Sequence, residues 1–103
     1  MSTANPLRGE AELVVAGQPR LLRPTFDALV RAEEELGSLF ALAERAGAGE
    51  LRLAEMAALF WHCLVEREAV PREAVGEAVV RMGVAAAAKP LRALLQQIFA
   101  GAG

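Results

Sequence analysis

Hydrophobic and polar positions alternate at the start of the chain and then change period. In Gly9-Glu10-Ala11-Glu12-Leu13-Val14-Val15-Ala16, an extended backbone puts Ala11, Leu13 and Val15 on one side and Glu10 and Glu12 on the other. Gly17 permits a turn, and Gln18-Pro19-Arg20-Leu21-Leu22-Arg23 reads as the return strand. Pro19 has no N–H to give to a ladder, so it belongs at an edge or at the strand's first residue. A two-stranded hairpin is marginal in water by itself and must pack on other elements or pair with something else.

From Pro24 onward the period becomes helical. Thr25, with Asp27 competing for the role, is the expected N-cap of a helix over 26–36, with Phe26, Leu29, Val30, Glu33 and Leu36 as its stripe and Gly37 as its stop. Ser38 caps a short second helix, 38–46, whose apolar face is Leu39, Phe40, Leu42 and Ala43. The third helix, 51–65, repeats Leu53, Met56, Ala57, Phe60, Cys63 and Leu64, with Trp61 at the margin of the stripe. Pro71 suits the first turn of a fourth helix, 71–82, with Val75, Ala78, Val79 and Met82 inward and Gly83 as its stop. The fifth, 84–100, contains Pro90, which predicts a break near Lys89 or a short alanine turn before the stripe of Leu91, Leu94, Leu95, Ile98 and Phe99. The fold class is therefore α+β, mostly α: an N-terminal β-hairpin over 9–23, then a bundle of four or five short helices. Residues 1–8 read as a flexible lead-in and 9–100 as a single domain.

Composition sharpens this picture. The chain has 103 residues and is 54% hydrophobic, but alanine supplies 22 of them and aromatics are only 5%. The core is expected to be thin, with helices close together across alanines and bulk supplied by Leu, Val, Phe and Trp61. The formal charge is −2, and the arginines are scattered, so nothing predicts the basic patch of a nucleic-acid binder. One cysteine rules out an internal disulfide and suits a reducing compartment. With no signal-peptide pattern and no long apolar run, the expectation is a cytoplasmic protein with no membrane contact.

Little catalytic chemistry is on offer. His62 is the only histidine, and Cys63, its neighbour, points about 100° away on a helix, a poor geometry for a catalytic dyad. Cys63 reads as core packing, and His62 as a surface or satisfied core group. The run Glu33-Glu34-Glu35 fans around its helix and reads as a solvated face. Gly47-Ala48-Gly49 lacks the Lys and Ser/Thr of a phosphate loop. No catalytic, metal or cofactor residues are predicted, and no small-molecule substrate. Trp61 is a candidate partner contact, because Trp is enriched at interface hot spots, but closing the core of an aromatic-poor domain is the reading slightly favoured for it. Phe60, Leu95 and Phe99 are the others, and a homo-oligomer is left open.

The order of elements and several segments resemble the gene transfer agent and phage tail-assembly chaperone family. The resemblance is carried by Asn5-Pro6-Leu7-Arg8-Gly9-Glu10, the paired strands, Leu29-Val30-Arg31-Ala32-Glu33-Glu34-Glu35-Leu36-Gly37-Ser38-Leu39, the stripe from Leu53 to Leu64, and Val79-Val80-Arg81-Met82-Gly83. It covers about residues 5–99. It implies a non-enzymatic role: binding a tape-measure or tail tube protein and keeping it soluble during assembly of a phage-like particle, with no cofactor. Two other readings stand beside it. One is a small helical DNA-binding regulator, with the third and fourth helices as a helix-turn-helix, although its joining segment from Arg67 to Val70 has no glycine and the fourth helix has only Arg72 and Arg81 as basic residues. The other is a helical protein-interaction domain of unknown partner. A redox or thiol enzyme would require Cys63 to be exposed and easily ionised.

Overall fold

Two strands and five α-helices follow one another in the computed structural model, which describes residues 10–100. The lead-in over 1–8 and Gly9 at the head of the hairpin lie outside the described residues. The strands are β1, Ala11–Val15, and β2, Gln18–Leu22, paired antiparallel with Val15 opposite Gln18 and Ala11 opposite Leu22. The two-residue turn puts both Ala16 (φ 53°) and Gly17 (φ 80°) in the left-handed region. That handedness matches the twist of the strands. Gly17 adopts it freely, and Ala16 does so at a steric cost.

The register explains how Pro19 is tolerated. Pro19 faces Val14, one step from the pair that closes the turn, so its nitrogen lies on the outer edge of the hairpin. That edge is taken up further along. Leu21 C=O accepts from Val65 N–H at 3.1 Å, and Arg23 N–H donates to Cys63 C=O at 2.7 Å. Residues 63–65, as the chain leaves the third helix, thus pair with β2 and pin the hairpin to the bundle. Ala11, Leu13 and Val15 of β1 are buried against the fourth and fifth helices, and Leu22 of β2 is buried as well. Glu10 departs from the expected outward position: it is buried, and Arg23 Nε donates to its carboxylate at 2.7 Å.

The helices are α1, Phe26–Leu36; α2, Leu39–Gly47; α3, Leu53–Cys63; α4, Arg72–Met82; and α5, Val84–Ala100, with a short 3₁₀ turn at Arg67–Ala69. Thr25 and Ser38 cap α1 and α2, accepting from the N–H groups of Ala28 and Ala41. Gly37 and Gly83 end α1 and α4 with positive φ. Helix α3 is the centre. Met56 through Phe60, His62 and Cys63 are all buried, so it is covered nearly all round rather than along one stripe. Leu53, expected in the stripe, is exposed at the helix start.

The bulk of α3 decides what can pack on it. Helix α1 presents Ala28 and Ala32, one turn apart, as its buried residues. The expected stripe is rotated away: Phe26 is 85% exposed and Val30 38%, while Leu29 and Leu36 are partly buried. A helix that packs closely on α3, as α1 does, needs small side chains at the contact, and the alanines supply them. Phe40, expected on the inner face of α2, is likewise exposed, while Leu39 and Leu42 are buried. Helix α5 runs unbroken through Pro90. The carbonyl that loses its partner is that of Ala86, an exposed residue that water can reach.

Candidate functional site

Two places where side chains of different elements converge on the surface bear on the residues singled out in the sequence. The first is polar. Glu35 leaves α1 and accepts from His62 Nε2–H on α3 (2.9 Å) and from Arg72 on α4 (2.5 Å). Two donors on one carboxylate hold its pKa below the usual range, Arg72 contributing most. Trp61 sits beside this cluster, half-buried. Its indole N–H donates to Val70 C=O at 2.9 Å, and the Arg72 guanidinium lies over its ring at 4.7 Å. His62 is thus a satisfied interior group at Nε2. Within the acidic run, Glu35 ties three helices together and Glu33 accepts from Leu39 N–H at the start of α2. All three carboxylates stay exposed, as expected of a solvated face, and the hydrogen bonds of Glu33 and Glu35 are made at that surface.

The second is apolar. A groove of about 460 Å³ runs between α2 and α5, lined by Ala43, Ala46 and Gly47 on one side and by Ala88, Leu91, Arg92, Leu95, Gln96 and Phe99 on the other. Both sets recur at three- and four-residue intervals, so the groove follows the helix axes. Its floor is low because α2 contributes only alanines and a glycine there. At one end Phe40 and Phe99 meet, with ring centroids 5.3 Å apart and planes tilted by 60°. Each is about half exposed or more, at 63% and 47%. An exposed aromatic pair beside an open groove leaves apolar area in contact with water, which another molecule could cover.

The four contact residues suggested by the sequence therefore separate. Leu95 and Phe99 come together in the groove. Trp61 belongs to the polar cluster, and much of its ring is occupied within the chain. Phe60 is fully buried in the core, out of a partner's reach. Sequence reasoning missed Phe40 as a surface residue. The usable signal was its place one residue after Leu39 and two before Leu42, off the inward face that these two already fill in a two-turn helix.

The chemistry of the remaining groups is muted. Cys63 is 1% exposed, and burial pushes its thiol up to about 12, far from the range of a reactive thiolate. Among the described residues no group of three or more His, Cys, Asp or Glu is placed to hold a metal ion. No helix among them is long and apolar enough to cross a membrane.

No curated protein and no solved structure matches the chain. One family model does, over residues 8–101, which takes in the hairpin, all five helices and the groove. On that near-complete match, the protein belongs to the family described as phage tail tube protein, GTA-gp10.

Proposed function

We propose that this protein is a non-enzymatic assembly chaperone of a phage-like tail, binding a tape-measure or tail tube protein before it is incorporated. The carrying observation is the open groove between α2 and α5, with Phe40 and Phe99 exposed at its end. Family membership supplies the tail context. A chaperone of this kind covers apolar surface on a client that would otherwise aggregate, and for that it needs exposed apolar surface of its own.

The family description itself supports a second reading, in which the chain is part of the tube. The two differ in one respect: a chaperone leaves and a tube component stays. Co-expression with the tail tube and tape-measure proteins of the same particle, followed by analysis of finished particles, separates them. The chaperone reading expects a soluble complex with one client and no chain in the mature particle. Stoichiometric retention in the particle would overturn it in favour of the tube. The DNA-binding reading finds less support. Of the two basic residues on α4, Arg72 is engaged by Glu35 and Trp61, and the exposed face also carries Glu73 and Glu77.

A further inference from the structure

Helix α5 carries only two charged residues, Lys89 and Arg92, in a chain whose net charge is −2. They lie three residues apart on one exposed side, and Arg92 lines the groove. Neither has an ion-pair partner among the described residues. Across the groove, Arg45 of α2 is held by Glu55 at 2.7 Å, and Glu44 does not line it. The groove thus has a largely apolar lining with Arg92 in it, and Lys89 follows Ala88 just outside that lining on α5. From Ala88 to Phe99 the lining spans twelve residues, about 16 Å or three helical turns.

We propose that the groove's occupant is an amphipathic helix with an acidic flank. Its apolar stripe, at positions i, i+3 or i+4, and i+7, lies over Ala43, Ala46, Leu91 and Leu95 and ends against Phe99. Its carboxylates meet Arg92 and Lys89. The floor selects the shape, because alanines and a glycine on α2 leave depth for the larger side chains of an incoming helix. The edge selects the charge, because a basic helix would bring like charges together at Lys89 and Arg92. The inference rests on the client-binding reading and adds the chemistry of the segment that is bound.

Two synthetic helices of about 18 residues, or five turns, test it. They share a leucine stripe; one carries Glu on its flanks and the other Lys at the same positions. Calorimetric titration at low and high salt, with amide shifts mapped by NMR, should show the Glu helix binding about tenfold tighter than its Lys twin. The advantage should shrink with salt, and the shifts should centre on α2 and α5. The double variant Lys89→Glu/Arg92→Glu, altered only at exposed positions, should reverse the preference with an unchanged Tm. Equal binding of the twins, shifts elsewhere, or no binding overturns the inference. So does concentration-dependent self-association that the double variant abolishes, which would put a second copy of the chain in the groove. If tail proteins are recovered but the twins are indistinguishable, the chaperone reading stands and this inference falls. If the Glu helix binds as described but no tail protein is recovered, the reverse holds.

Discussion

Glu55 joins two elements through one carboxylate. It accepts from Arg45 on α2 and from the Arg52 N–H at the start of its own helix, at 2.7 and 3.0 Å. The Arg45 bond, first, and the Arg52 bond hold its pKa down to about 2, against an ordinary 4.5. A carboxylate depressed in the folded state contributes stability above its unfolded pKa, and that contribution is lost as the pH falls through the folded value. Glu35, lowered by Arg72 and His62, acts in the same direction. Thermal melts between pH 7 and pH 2 should therefore show Tm falling below about pH 4.5, with a shallower fall in Glu55→Gln; parallel curves for the two proteins would refute the linkage. Phe60 sits at the other extreme, wholly apolar and without exposure. Phe60→Ala leaves a cavity in the core and should cost about 3–5 kcal/mol in urea unfolding. A cost below about 1 kcal/mol, the range of surface substitutions, would mean that α3 is not the centre of the core.

At the scale of the element, the ends of helices were easier to read than their faces. Thr25, Ser38, Gly37 and Gly83 act through local hydrogen bonds and backbone conformation, which neighbouring residues determine. Faces depend on what lies opposite. Phe26 and Val30 make a plausible stripe in isolation, but α3 arrives already bulky and takes Ala28 and Ala32 instead. Pro90 was misread for a similar reason: its penalty is local, but the exposure of Ala86 that softens it comes from the fold. The hairpin turn offers a direct check. Ala16 holds a left-handed conformation that glycine adopts without a Cβ clash, so Ala16→Gly should stabilise by up to about 1 kcal/mol despite the greater freedom of the unfolded chain. Thr25→Ala should destabilise by about 1 kcal/mol through loss of the cap to Ala28. Chemical denaturation reads both, and a destabilised Ala16→Gly would mean the turn differs from the one described.

For the whole molecule, the fold class was written in the pattern, from the hairpin through the five helices. The candidate site was only half legible. Leu95 and Phe99 stand out in the α5 stripe, yet their groove exists only because α2, more than forty residues earlier, turns small side chains toward them. No spacing within α5 announces that depth, and none distinguishes a Phe60 sealed in the core from a Phe40 left at the surface. The polar cluster around Trp61 was hidden in the same way, since Glu35, His62 and Arg72 come from three helices. Trp61, which the sequence leaves between core and partner contact, is largely used within the chain. The central claim is that the exposed groove is where a tail protein binds. The most direct measurement is recovery of the co-expressed tail tube or tape-measure protein by this chain and by its Phe99→Glu variant, with Tm measured on both. The account predicts recovery by the parent, loss of at least about tenfold in the variant, and a variant that still unfolds cooperatively, with Tm lowered only by the lost contact with Phe40. Equal recovery by the two proteins would contradict it and move the binding surface elsewhere.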